Sequence, residues 1–513
     1  MFDPTQRYDR QIRLWGSHGQ ARLVSSKILV FGSCPATSET LKNLVLPGIG
    51  EVVVIDDATV TERDIHRDFF LHQTDIGSSR ADSICKHLSK INDSVSFTSL
   101  HQDPNTVSRS VNFIEKHKPS IVLGITLTVT SSSICFKLCN QSSIPFLTLS
   151  IIGPFFSLRL FAGLYGSIET HFDPIFDPLL NSPPKKVTEL VSVFHNNGFG
   201  DHIPWPVMCL AAIDHLKSKG EIGSTVSKQD MGKVKLILKD WKGKRFDIES
   251  IVECESNLYT AFSSLDVPPS VDECFRIVQS KAIPEGQKSD HFWSLMTCLF
   301  EFYTRHSRLP HNGFVPDMDS DPQSYGIIRQ SYRLAFEKDI ECLKDIYQEK
   351  IGSINNGIES EIVRLCKNSR TIHISQYPLS FLPFDTLKQE IIDNPNQESL
   401  ATFIFPLTIA FLRFKEAHGR FPLNNIDDRQ ALQLLLDHLE TEIGVEKYFD
   451  SATGHDLIDE MIRSKDALLH CICSISGSIT AQEVIKVVTK QFTPISNTFI
   501  WNGIKGFGDV LKL

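Results

Sequence analysis

The sequence predicts a doubly wound α/β fold, in which parallel strands alternate with helices, over roughly its first 165 residues. Two apolar, β-branched runs, Ile28 to Phe31 and Val52 to Ile55, have the composition of buried parallel strands. Between them Leu41, Leu44 and Val45 stand at positions i, i+3 and i+4, which places an apolar stripe on one face of a helix. Strand, helix and strand together make a βαβ unit.

The other elements of this region follow in the same alternation. The predicted strands span residues 27–32, 51–56, 120–123 and 145–150, and the predicted helices span 37–46 and 79–88. Near the end of the chain a helix at 480–489 precedes a strand at 498–501. We expect this last pair to rejoin the sheet that the N-terminal part begins.

The pattern of residues along the sequence changes near residue 170. A loop-like segment, His171 to Lys185, contains Pro174, Pro178, Pro183 and Pro184 and is followed by helical patterns with polar insertions. One such pattern has Phe336, Ile340, Leu343 and Tyr347 at helical spacing, as a core-facing helix requires. These features predict an α/β part at 1–169, a large, mostly helical insertion at 170–465, and a return to the α/β part at 466–513.

Composition excludes several classes of function. The chain has 513 residues, 41% of them hydrophobic, which is enough for two or more folded domains. Its formal net charge of −9 comes from mixed charges without a basic stripe. We therefore expect a protein that binds protein partners and no nucleic acid.

The cysteines and apolar segments indicate the cellular setting. The 12 cysteines form no C-x-x-C pair and show no Cys/His ligand spacing, so we expect reduced thiols and no metal site. No signal peptide is recognised at the first residues, and the apolar runs Ile121 to Val129 and Leu149 to Tyr165 are short or interrupted. We expect a soluble cytoplasmic protein without membrane contact, with the nucleus as a second compartment.

The turn after the first strand lacks most of a dinucleotide fingerprint. Of the three glycines of G-x-G-x-x-G only Gly32 is present, while Cys34 and Thr37 occupy the other two positions. Pro35 also removes a backbone N–H that could donate to phosphate. The loop is therefore expected to connect elements without binding nucleotide, and the missing glycines argue against an independent NAD-dependent enzyme. A Rossmann-like domain that uses another pocket is the alternative.

Six segments together carry a resemblance to a known family. They are, in chain order, RYDRQIRLWGSHGQ, LKNLVLPGIG, DIGSSRAD, LPHNGFVPDM, HGRFP and AQEVIKVVTKQF. In this order and spacing the chain resembles the ubiquitin-like-modifier activating enzymes, and among them the regulatory subunits of neddylation-activating heterodimers. The resemblance spans nearly the whole chain and implies a ThiF/MoeB-type adenylation fold, in which two halves pair and only one keeps an ATP site.

The resemblance also indicates which half this chain is. Asp56 matches the first acidic residue of the family's D-x-D motif, but Ala58 replaces the second, and only Arg67 remains of an N-x-N-R-Q run. Arg80 replaces a lysine, and Thr126 stands where the family has a magnesium-binding aspartate, so a hard carboxylate ligand is missing. We expect no nucleotide or metal in this chain, ATP and Mg²⁺ in its partner, and Asp56 to cap a strand end. Arg67 and Arg80 are expected to be ion-pair or surface residues.

The family captures its activated modifier on a cysteine of the catalytic subunit. Here Cys209, Cys298, Cys471 and Cys473 lie in apolar surroundings, so each is expected to be a buried structural cysteine. The helical insertion then resembles the family's cysteine domain without its nucleophile. No autonomous catalytic site is expected in this chain.

The resemblance assigns one candidate catalytic residue, Arg10 of the Y-x-R-Q motif, as a group supplied in trans to the partner's ATP. It implies the regulatory subunit of a heterodimer that adenylates a Nedd/Rub-type modifier and passes it to a cysteine of the catalytic subunit. The implied partners are that subunit, the modifier and a conjugating enzyme. Two alternatives are the regulatory half of a SUMO-type activating enzyme, which lacks so large an insertion, and a scaffold without a role in catalysis.

Overall fold

The computed structural model describes residues 7–197, 202–242, 248–283, 291–394 and 400–513. The strands are β1 Lys27–Phe31, β2 Glu51–Ile55, β3 Ser96–Leu100, β4 Ile121–Ile125, β5 Phe146–Ile152, β6 Phe155–Phe161, β7 Leu164–Ser167, β8 His373–Gln376, β9 Thr498–Asn502 and β10 Phe507–Leu511. The helices are α1 Asp9–Val24, α2 Pro35–Val45, α3 Glu62–Ile65, α4 Arg80–Leu88, α5 Pro104–Val107, α6 Val111–His117, α7 Val129–Gln141, α8 Lys185–Asn197, α9 Trp205–Ser218, α10 Met231–Trp241, α11 Ile248–Ser263, α12 Pro269–Ser280, α13 His291–His306, α14 Pro322–Lys350, α15 Asn356–Asn368, α16 Phe384–Asp393, α17 Ala401–His418, α18 Ile426–Ile443, α19 Ala452–Ser464 and α20 His470–Thr489.

An eight-stranded sheet organises the N- and C-terminal parts, with strand order β10-β9-β6-β5-β4-β1-β2-β3. Strands β3, β2, β1, β4 and β5 run parallel, whereas β6, β9 and β10 pair antiparallel. Ile28 of β1 is paired with Val52 of β2 on one side and Ile121 of β4 on the other. Parallel strands joined by helices confirm the predicted doubly wound α/β class.

The chain divides into two compact units, Met1–Tyr165 with Ser375–Leu513, and Gly166–Ile374. The first boundary lies near the predicted one, but the chain returns at Ser375 and not at residue 466. The returning segment covers the sheet: Arg159 of β6 lies 5.0 Å from the ring of Phe381 and 4.9 Å from that of Phe405 on α17. An apolar helix that covers a sheet reads like a bundle helix in sequence, which explains the difference.

Helix α20 is longer than predicted, beginning at His470 and not at Thr480. It packs against α1 and α2, and a Cβ added to its Gly477 would lie 2.7 Å from the Cβ of Glu39. By length and composition it is the one helix among the described residues that could cross a membrane, yet 56% of that stretch is buried inside the unit. It is therefore a core helix with one face left open, at Cys471 and Ile475.

The unit Gly166–Ile374 is mainly helical within its described residues, from α8 to α15. Its core includes the fully buried side chains of Trp205, Phe262 and Tyr332. Helix α14 confirms the predicted pattern, with Ile340, Leu343 and Tyr347 buried. Its resemblance to a cysteine domain stays a prediction.

Candidate functional site

The place where this fold usually binds a ligand is the crevice at the carboxyl ends of β1 and β4. The strand order reverses there, because the chain continues from β1 to β2 on one side and later adds β4 on the other. In open α/β sheets such a switch point is the common ligand site. The residues around it decide whether a nucleotide fits.

The loop after β1 is closed by its own hydrogen bonds. Gly32 has φ +90°, and a Cβ there would meet the carbonyl oxygen of Ile125 at 1.9 Å, so this glycine is required. The backbone N–H of Cys34 donates to Oγ1 of Thr37 at 3.1 Å, and the Thr37 hydroxyl donates to the carbonyl of Gly32 at 3.3 Å. The residues at the two replaced glycine positions thus bind each other.

Asp56 binds the loop that would otherwise cradle a phosphate. Its carboxylate accepts the backbone N–H of Ser33 at 2.6 Å and that of Ala58 at 2.8 Å, so the expectation that it caps a strand end is confirmed. Arg80 pairs with Asp56 at 3.1 Å and donates from Nε to Oγ of Ser33 at 2.9 Å. Burial alone would lower the pKa of Arg80, but the attraction of the Asp56 carboxylate is stronger. The pKa of Arg80 is therefore raised overall.

The next two residues of the family motif are also engaged within the chain. Nη1 of Arg67 donates to the backbone carbonyl of Asp466 at 2.9 Å. Asp68 is buried and accepts the hydroxyl of Ser38 at 2.5 Å and the N–H of Phe70 at 3.0 Å. Burial raises the pKa of the Asp68 carboxyl. Both side chains therefore stabilise the local structure, and Arg67 is a structural residue.

What remains of the crevice is a cavity of about 80 Å³. Helix α17 and the turn after it enter it with Leu412, Lys415 and Phe421, and Nζ of Lys415 lies 5.0 Å from the Phe421 ring centre. Burial lowers the pKa of Lys415. Thr126, also in the lining, has φ +66° and no carboxylate. Ligand pockets usually measure roughly 300–1,000 Å³, and this cavity is smaller than that range.

Metal binding is equally unsupported by the side chains present. Across the described ranges, no three His, Cys, Asp or Glu side chains are grouped as metal ligands would be. Asp56, the family acid that the sequence retains, is paired with Arg80. The donor set therefore does not match the oxygen ligands that Mg²⁺ requires.

Arg10 lies in the first turn of α1, between two buried residues, Tyr8 and Trp15. Tyr8 is buried and its hydroxyl accepts from Nδ2 of Asn92 at 2.9 Å; Trp15 donates to Oε1 of Gln20 at 3.0 Å. Between these anchors Arg10 is exposed, and within the described part of the chain it has no hydrogen-bond or ion-pair partner. Its neighbour Arg13, by contrast, pairs with Asp9 at 3.0 Å. The motif thus presents an available guanidinium on a fixed helix.

The cysteines follow the prediction with one correction. All are free thiols, and Cys209, Cys298 and Cys473 are buried as expected. Burial raises the pKa of Cys298 to about 12, which leaves it protonated and unreactive. Cys471, however, is exposed, because it lies on the open face of α20 and not on the face packed in the core.

Two features of the crevice were not foreseen from sequence. The Asp56–Arg80–Ser33 network joins residues 24 and 47 positions apart, and Lys415 and Phe421 arrive from nearly 300 residues away. The HGRFP motif was the available signal for the second feature, but its letters alone do not show where Phe421 points.

With this geometry described, the chain can be placed among known proteins. It matches the model of the ThiF family over residues 8–507, and it belongs to the ThiF family. It is 28% identical over 527 residues to the NEDD8-activating enzyme E1 regulatory subunit of Gallus gallus, covering 97% of this chain and 96% of that protein. It is 27% identical over 527 residues to the NEDD8-activating enzyme E1 regulatory subunit AXL of Arabidopsis thaliana, covering 98% of both.

Among solved structures, similarity is partial. The E. coli tRNA N6-threonylcarbamoyladenosine dehydratase TcdA, in complex with AMP, is 20% identical with a TM-score of 0.26, covering 33% of this chain and 62% of that one. A likeness of this size carries no functional argument.

Proposed function

We propose that this chain is the regulatory, catalytically incomplete subunit of a heterodimeric enzyme that activates a NEDD8-type ubiquitin-like modifier. In this proposal the partner subunit holds ATP and Mg²⁺, the modifier's C-terminus is adenylated there, and the modifier then passes to a cysteine of the partner. One observation supports this division of roles between the two subunits: side chains of the present chain fill its own crevice. A chain of this family that cannot hold ATP requires a partner that can.

The surface of the sheet-containing unit supports a heterodimer. Helix α20 is apolar on average but buried over only part of its length, with Cys471 and Ile475 exposed. Other large apolar side chains of this unit are also open, among them Leu46 at 52% and Phe69 at 76% exposure. Exposed apolar side chains can mark a protein–protein contact, so a partner subunit is the expected cover.

Arg10 supports a role in the partner's chemistry. A guanidinium on an anchored helix, with its N–H groups available, can meet phosphate oxygens bidentately and stabilise negative charge. We propose that Arg10 reaches the ATP bound by the partner subunit. This role would make the present chain necessary for adenylation although it has no ATP site of its own.

We also propose that the assembly passes the modifier to a conjugating enzyme. A cytoplasmic location, with the nucleus as a second compartment, is supported by the free state of all 12 cysteines, as reducing compartments require.

The experiment is reconstitution with the purified catalytic partner. ATP–pyrophosphate exchange and thioester formation are measured with the partner alone and after adding this chain, while sedimentation reports the assembly. We expect a stable heterodimer and activity that depends on this chain. A partner that is fully active alone would leave this chain a scaffold and would contradict the proposal.

A further inference from the structure

One cavity of the helical unit has no role in the proposed function. Its volume is about 490 Å³, within the range of small-molecule sites. Its walls come from the loop before α8, the N-terminal side of α10, the segment after α11, the end of α13 and the segment after α15. All of these lie within Gly166–Ile374, so the cavity belongs to one unit.

Two arginines of the wall are held rigidly by carboxylates behind them. Arg308 pairs with Asp339 through Nη1 at 2.7 Å and Nη2 at 2.8 Å. Arg370 pairs with Asp177 at 2.9 Å, and its side chain is only 9% exposed. Because both guanidiniums are fixed in advance, a ligand would not have to order them.

Each of the two carboxylates accepts three hydrogen bonds, and each guanidinium keeps N–H groups that bind no protein oxygen among the described residues. Oδ1 of Asp177 accepts the N–H of Leu179 at 2.8 Å and the hydroxyl of Ser264 at 3.0 Å, and Oδ2 takes Arg370. A guanidinium has five N–H donors. Each arginine uses three of them on protein oxygens, including the carbonyls of Leu309 and of Asp266. Within the described residues, two N–H donors on each arginine are left for another acceptor.

The rest of the wall combines polar side chains, Asp177 and Asp266 among them, with six aliphatic ones, and Lys228 adds a further cation at the mouth. Lys228 is half-exposed and pairs with Asp266 at 2.7 Å. The apolar lining consists of Leu179, Leu180, Val226, Leu265, Val267 and Leu309. Spare donors beside an apolar wall favour a ligand that combines one anionic group with an apolar body.

We propose that this cavity binds a small amphiphilic anion, whose carboxylate, sulfonate or phosphate accepts from Arg308 and Arg370 while its apolar body lies on the leucine and valine wall. Both the mouth lysine and the two arginines favour negative charge. The site lies in the helical unit, whereas the crevice at the ends of β1 and β4 belongs to the sheet-containing unit. Binding at the site does not depend on the heterodimer.

The test uses two probes that share one ring system, naphthalene-2-sulfonate and 2-naphthylmethylammonium, titrated calorimetrically into the full-length chain. We expect the sulfonate to bind once per chain, in roughly the millimolar range or tighter, and the ammonium not to bind. Equal binding of both probes, or no binding of the sulfonate, would overturn the proposal.

Variants locate the binding. Val267→Trp should fill the cavity and weaken sulfonate binding at least roughly tenfold, and Lys228→Glu should weaken it by about threefold through charge reversal at the mouth. The matched control is Lys235→Glu, which reverses an exposed charge on α10 outside the cavity lining and should change nothing. If Val267→Trp fails to fold, the Lys228→Glu and Lys235→Glu pair decides. Unchanged affinity in both Lys228→Glu and Val267→Trp would mean adventitious surface binding and refute the site.

Discussion

The crevice of the sheet-containing unit and the cavity of the helical unit are opposites. The crevice lies where the fold predicts a ligand, yet the cavity there, lined by Lys415 and Phe421 among others, measures only about 80 Å³. The cavity lies where the fold predicts nothing, yet it measures about 490 Å³ and has N–H donors to spare. A fold therefore indicates where a site can be, and the side chains decide whether one is there.

The largest expected effect comes from breaking the pair that closes the phosphate loop. Asp56→Ala removes the closer of the two carboxylates that pair with the partly buried Arg80, which keeps only Asp64 at 3.5 Å, and it leaves the N–H of Ser33 without its acceptor. We expect a loss of about 3 to 5 kcal/mol in the free energy of unfolding, measured by urea titration. Asp57→Ala, which removes the adjacent exposed carboxylate, is the matched control and should stay near the parent. A loss below 1 kcal/mol would mean that the loop is not held by Asp56.

Opening the crevice should cost stability without creating an ATP site. Phe421→Ala removes a half-buried ring that lies under Lys415, so we expect a loss of about 2 kcal/mol, less than for a fully buried phenylalanine. Calorimetry should still detect no ATP binding, because Asp56 and Arg80 remain paired. If the Phe421→Ala variant gained magnesium-dependent ATP binding, the Phe421 ring alone would be what closes the crevice to ATP.

Arg10→Ala tests the role in trans. We expect the heterodimer to assemble normally while adenylate formation slows at least roughly tenfold, a cautious fraction of the loss of one preorganised donor. The readout is ATP–pyrophosphate exchange at subsaturating ATP. Arg13→Ala removes another exposed arginine of the same helix and should have little effect. Equal rates for Arg10→Ala and the parent complex would identify Arg10 as an ordinary surface residue.

The smallest effect is a pH dependence in the turn that carries Phe421. Hydrogen bonds from Arg420 and from the N–H of Leu423 lower the pKa of Asp428 to about 2 from an ordinary 3.8. A depressed folded-state pKa stabilises the protein above pH 3.8, and this contribution is lost as the pH falls through about 2. Asp428→Asn should flatten the acid limb of stability between these values. Identical acid limbs for Asp428→Asn and the parent would contradict the assignment.

Local patterns predicted much of this molecule. The βαβ unit, the elements of the parallel sheet and helix α14 follow from periodicity, because neighbouring residues determine strands and helices. The failure of the phosphate loop follows from Cys34, Pro35 and Thr37 in a known motif. The return boundary at Ser375, the exposure of Cys471 and the filling of the crevice by Phe421 depend on contacts between distant segments, which no local pattern contains.

The cavity of the helical unit was beyond sequence reasoning for the same reason. Arg308 and Arg370 look like ordinary charged residues until Asp339 and Asp177 are seen behind them. Nothing in the spacing of these four residues indicates that they meet.

The central claim is that this chain holds no nucleotide of its own and completes a site in its partner. Calorimetric titration of Mg²⁺-ATP into the purified single chain tests it most directly, with the reconstituted heterodimer as the positive control. The account predicts no measurable binding to the single chain and clear binding to the heterodimer. Magnesium-dependent ATP binding by the single chain, in roughly the micromolar range that active enzymes show, would contradict it.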